Sequence, residues 1–365
     1  MNRHLAVFVL GNIICEEMDM PSVPPVRKRA FTLIELLLVV AIIALLIAIL
    51  IPALASARKV ARSGMCMSNM RMFNTGIQNY SGDASGLVAS FSWQPGVPTP
   101  SDFADNSITP SNATQAHARQ AVEYIRKLAG ETSFFPPNIA DHRIVARNFT
   151  QVVLMYGGYY GDRNPEPAAA CSEDRDLLQW QKLTPAQAQA QFTAWDMGAP
   201  SFFAPYFSSY QIVPNAFQDE KGPGQLYHVP TDYRLYYVGA GGRFKQRRLD
   251  QVAFPSQKVA WFDLFDRHSY KRPIYYAYNI ARQPLAFFDG SVRVGATKDA
   301  NKGWSHQAGQ QNNLSLTARV EYRTISPTDP PPLYSSATAN IADGFYRWTR
   351  KGIKGIDFGG AEVTR

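Results

Sequence analysis

The chain has 365 residues, 45% of them apolar, 12% aromatic and 18% charged, with 25 Gly and 25 Pro. That excludes a peptide toxin, a disulfide-stapled miniprotein, a collagen, a coiled-coil repeat and a disordered chain. Its 37 Lys and Arg against 29 Asp and Glu leave a formal charge of +8, which suits an anionic surface or a nucleic acid without requiring either.

The first element follows the basic triplet Arg27-Lys28-Arg29. Ala30-Phe31-Thr32-Leu33-Ile34-Glu35 leads into Leu36 to Ile51, where no side chain carries a polar atom. Counted from Phe31, the run matches the roughly 20 residues that a helix needs to cross a ~30 Å hydrocarbon core, so one transmembrane span is expected. A secretory signal peptide has a shorter apolar core and ends at a small-x-small site. This run instead continues through Pro52-Ala53-Leu54-Ala55 into the basic residues Arg58, Lys59 and Arg62. Positive charge flanks both ends equally, so orientation is read from size. The short N-terminal flank stays in the cytoplasm, and the long C-terminal part is exported. Glu35 needs compensation, because a carboxylate at the centre of such a helix costs about 2.5–3.5 kcal/mol, and less near its end. On the residues alone it either reaches the headgroups or caps the first turn, where the helix dipole favours an anion.

The string from Arg29 to Ala44, Arg-Ala-Phe-Thr-Leu-Ile-Glu-Leu-Leu-Leu-Val-Val-Ala-Ile-Ile-Ala, resembles the prepilin-type cleavage and methylation segment of bacterial type IV pilins and type II secretion pseudopilins. The resemblance implies a leader, residues 1–30, removed by a membrane aspartyl peptidase that cuts between Ala30 and Phe31 and methylates the new Phe31 amine. It also gives Glu35 a third partner. An amine and a carboxylate created in the membrane are each costly alone, and pairing between neighbouring subunits removes both penalties. The family usually carries Gly before the cut, so Ala30 implies slower processing. The leader's own apolar patch, Leu5 to Cys15, has no evident role, and Met18 or Met20 serves equally well as a first residue.

Pro52 lacks the amide that would bond back to Ala48, so it either ends the span or kinks the helix, the latter being common in the family. Val60, Gly64, Met67, Met70, Phe73, Ile77 and Tyr80 recur at steps of three and four, one apolar stripe on a continuing helix. The expected organisation is therefore a transmembrane and assembly helix over 31–55, its amphipathic continuation over 56–82 stopped at Gly82, and a globular head over 83–365.

Within the head, the stretch from Trp93 to Ser111 is rich in Pro, Ser, Asp and Asn and reads as a surface loop. Helices are expected over 112–128, 173–182 and 185–195, the last capped by Thr184. From Ser201 the texture changes to aromatic and β-branched runs at 208–213, 233–238, 258–263 and 285–288, which read as strands of an antiparallel sheet over 200–300. Asp289-Gly290, between Leu285–Phe288 and Ser291–Val294, predicts a hairpin with a two-residue type I′ turn. The fold class is α+β: a long N-terminal helix packed on an antiparallel sheet, pilin-like.

Cys66-Met-Ser-Asn-Met-Arg71, Ser208-Ser-Tyr210, Pro255-Ser-Gln-Lys-Val259 and Phe288-Asp-Gly290 resemble the pilin-related group with a C-terminal H-X9-DG region. Asn279 stands where that pattern has its His, and Ser291 replaces the usual His after the Gly. A turn motif tolerates both changes, and an activity needing the imidazole does not.

The three cysteines, Cys15, Cys66 and Cys171, lie too far apart in sequence for zinc ribbons, CxxC redox sites or iron–sulfur runs. With the leader removed, Cys66 and Cys171 remain, free to pair in an oxidising compartment if the fold brings them together. No cofactor and no metal are expected. Asp263, Asp266 and Asp289 are weak Ca²⁺ candidates, since some pseudopilin heads use that ion and no EF-hand spacing is present. The six histidines form no ligand motif, and no GxSxG, P-loop or dinucleotide loop occurs. Arg243, Lys245, Arg247 and Arg248 make a basic patch, read as a wet surface, with nucleic acid not expected as a partner. The chain reads as a non-enzymatic subunit of a pilus or secretion pseudopilus, anchored once in the inner membrane with its head exported. Its expected partners are a prepilin peptidase, other pilin or pseudopilin subunits and the inner-membrane assembly platform. The alternative is an anchored surface or binding protein that does not polymerise.

Overall fold

Sixteen consecutive apolar side chains after Glu35 dictate the first element. Thr32 precedes α1, Leu33–Asp83, in a computed structural model that describes residues 32–90, 167–183, 208–213, 245–302, 319–321, 341–343, 345–349 and 352–360, with shorter pieces and single positions between 92 and 216. The chain divides into two units, residues 1–55 and 56–365. In the first, every described residue of α1 is exposed, and the helix is long and apolar enough to cross a membrane by length and composition. Pro52 lies inside α1, so helical turns continue past it and it does not end the element.

In the second unit α1 buries Cys66, Met70, Phe73, Asn74, Gly76, Ile77 and Ser81. The buried face therefore starts later than the apolar stripe suggests. Val60 is 70% exposed, and polar Asn74 takes an inward place because its Nδ2 donates to the Phe287 carbonyl at 2.5 Å. Gly82 is not the stop. Ser85 and Gly86 adopt left-handed φ of 54° and 84°, and the Gly86 amide donates to the Ser81 carbonyl at 2.7 Å, the 6→1 bond of a Schellman ending. Arg248 Nη1 donates to the Ser85 carbonyl at 2.6 Å and holds this turn in place.

The main sheet has the order β1-β2-β5-β6, all antiparallel: β1 Tyr210–Ile212, β2 Val259–Asp263, β5 Arg282–Phe287 and β6 Val292–Ala296. Tyr210 faces Asp263, Phe262 faces Leu285 and Ala286 faces Val292. Two-stranded pairs are made by β3 Phe265–Asp266 with β4 Ile274–Tyr275, and by β7 Arg319–Glu321 with β8 Ile341–Asp343. All five residues of β2 are buried because both of its faces are covered. Phe73 of α1 packs on Trp261 at 5.4 Å and Tyr210 at 5.5 Å, while the next residue, Phe262, meets Tyr276 and Tyr346 at 5.2 Å. Successive strand residues point to opposite faces, so a strand covered twice reads as a continuous apolar run.

The β5–β6 hairpin turns at Asp289-Gly290, with a different loop from the expected type I′ turn. The Gly290 amide donates to the Phe287 carbonyl and the Phe287 amide to the Ser291 carbonyl, and Gly290 alone has positive φ, 92°. This is a three-residue loop, Phe288 to Gly290, closed by a glycine bulge. Asp289 Oδ1 accepts from the Ser291 amide at 2.9 Å and hydroxyl at 2.7 Å.

The helix expected over 173–182 is shorter: α2, Arg175–Trp180, is capped by Asp174, which accepts from the Leu177 amide. Of the helix expected over 112–128, only Ala116, Gln120 and Glu123 are described, each helical. Nearly all of 185–195, the whole strand 233–238 and Gly239–Gly242 lie outside the described residues.

Candidate functional site

Among the described residues, two places carry chemistry, and the first is the start of α1. Thr32 Oγ1 accepts from the Glu35 amide at 3.2 Å, and Glu35 Oε2 accepts from the Thr32 amide at 2.9 Å and hydroxyl at 2.8 Å. This is a capping box, which satisfies two otherwise unpaired amides reciprocally. Within one chain, Glu35 therefore has a local partner at the helix end. Ala30 and Phe31, the cleavage and methylation positions, lie outside the described residues. From Leu33 to Leu54 the large apolar side chains of α1 are exposed to between 45% and 78%, far more continuous apolar surface than a soluble helix carries.

The second place is a buried cluster where α1, the turn before α2 and the end of β2 meet. Cys66 reaches it from α1, and Cys171 from a turn held by Ser208 and Ser209. Ser208 Oγ donates to the Ala169 carbonyl at 2.8 Å, Ser209 Oγ accepts from the Cys171 amide at 2.9 Å and donates to Asp174 Oδ2 at 2.7 Å. The two Sγ atoms lie 2.7 Å apart, and His268 Nε2 lies 3.2 Å from Cys171 Sγ. Cys66 is fully buried, Cys171 is 1% exposed, and both are free thiols. The hydrogen bond from Cys171 pushes the Cys66 thiol down against the opposing effect of burial, and the same bond, with burial, pushes Cys171 up. His268 is pulled down by burial but raised on balance by its hydrogen bond to Cys66.

Beside the thiols, Arg267 bridges two carboxylates: its Nη2 lies 2.8 Å from Asp174 Oδ2 and its Nε 3.1 Å from Asp263 Oδ2. Asp263 Oδ1 also accepts from the Phe265 amide at 3.0 Å. Burial pushes Asp263 up to about 7, with Asp174 adding to it against the pull of Arg267 and the Phe265 amide. A further buried set joins Lys258 Nζ to Asp357 Oδ2 at 3.0 Å, with Thr349 Oγ1 bonded to both residues.

The calcium candidates are not brought together as a cage. Asp263 is held by Arg267. Asp266 accepts from the amides of His268, Ser269 and Arg282. Asp289 caps its own turn. Carboxylates facing N–H donors are not oriented to receive a cation. The basic patch is wet in part: Lys245 and Arg248 are exposed, Arg248 pairing with Asp250 at 3.0 Å besides holding Ser85, while Arg247 is buried and Arg243 lies outside the described residues. Asn279 is exposed. Sequence reasoning missed His268, Arg267 and Asp174. The blocks around Cys66 and Ser208 were the available signal, since Asn69 Nδ2 lies 3.5 Å from both the Ala170 carbonyl and the Tyr210 hydroxyl.

Residues 26–51 match the family described as the prokaryotic N-terminal methylation motif. The match stops short of the head, and nothing in it reaches the H-X9-DG-like blocks. No curated protein and no solved structure matches the chain.

Proposed function

We propose that the chain is a pilin-like structural subunit of a type IV pilus or a type II secretion pseudopilus. It is made as a membrane precursor, cut by a prepilin peptidase between Ala30 and Phe31, methylated on Phe31 and assembled through α1. The N-terminus is of the prepilin type, and one observation carries the reading: the methylation motif over 26–51 coincides with the start of a helix whose apolar residues have no cover in the single chain. A bilayer covers such a surface before assembly, and neighbouring copies of the helix cover it afterwards. In this reading α1 spans the inner membrane once, the head is exported, and the partners are the peptidase, other subunits and the assembly platform. The chain itself performs no catalysis.

The capping box favours one competitor, an anchored binding protein that never polymerises, because Thr32 already satisfies Glu35 without a neighbour. Glu35→Gln beside the wild type separates the two, since the anchored reading expects neither in filaments. Glutamine keeps the capping box but removes the charge. The subunit reading expects normal membrane insertion with loss of filament incorporation, scored by shearing and immunoblotting of cells that carry the assembly machinery. Unchanged incorporation of the variant would remove the charge-pairing step from the account.

A further inference from the structure

The most reactive groups in the head are the least used by the proposed function: two thiols and an imidazole whose ligand atoms all lie within 4.8 Å of one another. Three uses compete. A nucleophilic Cys–His pair needs a substrate at sulfur, but Cys66 and Cys171 are 0% and 1% exposed. A soft metal ion bound by both sulfurs at about 2.3 Å with tetrahedral geometry holds them more than 3.5 Å apart. Here they stand at 2.7 Å, with no room for an ion between them. The third use is a covalent bond, which needs only a small further approach of two side chains already directed at each other.

We infer that Cys66 and Cys171 form a structural disulfide in the mature exported protein, fastening α1 to the turn before α2. The inference rests on the export of the head, since disulfides persist outside the cytoplasm and thiols stay reduced within it. The oxidant is a disulfide of that compartment, carried by a protein or a small thiol compound. The Cys66 thiolate attacks one sulfur of the oxidant and expels the other as a thiolate. The Cys171 thiolate then attacks the Cys66 sulfur of the mixed disulfide and expels the second. The two thiol protons end on the expelled thiolates, and the oxidant leaves reduced by two electrons. Because both sulfurs are buried, exchange takes place before the head closes, and the finished bond is shielded from later reduction. It closes a loop spanning a sequence separation of 105 residues, long enough to restrict the unfolded chain strongly.

The test uses the full-length chain isolated in detergent from membranes of exporting cells. Denaturation without reductant, alkylation and peptide mapping should yield Cys66 and Cys171 peptides linked and lighter than their sum by two hydrogens. The same chain, reduced and refolded with oxidised glutathione, should regain that link. Wild type reduced while unfolded and then refolded should melt about 5–10 °C below the linked form, and the same treatment should leave the Cys66→Ser/Cys171→Ser double variant unchanged. The wild-type comparison stands even if that variant folds poorly. Alkylation of both cysteines in the unreduced exported chain overturns the inference, as does a stoichiometric zinc ion retained in native mass spectrometry with both thiols unlinked. N-terminal mapping of the same sample keeps the two readings apart. A chain that starts at Phe31 with free thiols defeats the disulfide alone, and a linked chain that keeps its leader defeats the subunit reading alone.

Discussion

Asp263 faces one guanidinium shared with a second carboxylate, in a place from which water is excluded, and its proton is held up to about 7 as a result. The unfolded chain releases that proton near the ordinary aspartate value, so between about pH 4 and 7 the folded state binds more protons than the unfolded one. Stability must therefore fall as pH rises through that window, with a slope of at most about 1.4 kcal/mol per pH unit from this residue. Asp263→Asn should flatten that part of the profile. Denaturant unfolding of both proteins at a series of pH values measures it, and parallel profiles would assign the proton elsewhere. None of this was legible in the residues. Asp263 looked like one of three scattered carboxylates open to calcium, because Arg267 lies four positions on and Asp174 far back in the chain, and no local spacing announces that the three meet. Glu35 was legible as a residue needing a partner, but Thr32, three places before it, was not singled out as that partner. Which partner serves the assembled protein is decided by neighbours that a single chain does not contain.

Local periodicity marked the elements whose partners are close in sequence. The apolar run announced α1, and the Asp-Gly pair announced the β5–β6 hairpin. The turn came out one residue longer because Phe288 stays in the loop, its amide bonded to the Lys258 carbonyl and its carbonyl accepting from Gln78. The end of α1 was misplaced for a related reason. Gly82 is a good stop in isolation, but the positive φ is needed where Arg248 can hold the turn, at Ser85 and Gly86. The short strands β3 and β4 carry too few residues to show a period. Lys258 makes the strongest element-scale prediction. It enters the core at the start of β2 and its charge is balanced by Asp357 from near the end of the chain, where Asp357 Oδ2 also accepts from the Val259 amide at 2.9 Å. Lys258→Ala should cost about 3–5 kcal/mol by leaving a carboxylate buried without its counter-charge. The double variant Lys258→Met/Asp357→Leu should recover much of that loss. Chemical denaturation of the two variants checks it, and purely additive losses would show that the pair does not act as a unit.

At the scale of the whole chain, two kinds of surface divide the protein at residue 55. Up to Ala55 the described helix is apolar but for Glu35, and exposed throughout. From Ser56 the helix turns amphipathic and contributes Cys66, Met70, Phe73 and Ile77 to a core shared with Tyr210, Trp261, Phe287 and Tyr346. That switch from uniform to one-sided hydrophobicity was readable directly, because it depends on composition and period alone. Of the contacts that join α1 to the head, the approach of Cys66 to Cys171 could be raised from the sequence but not placed, and the Arg62–Glu173 ion pair was not readable, because both link residues more than a hundred positions apart. The proposed function requires the first unit to be a processed membrane anchor. Its most direct test is the intact mass and N-terminal sequence of the chain recovered from membranes of cells that hold a prepilin peptidase. A chain beginning at Phe31 and carrying one methyl group on its amine is the predicted result. A chain that retains residues before Phe31 in those cells would contradict it.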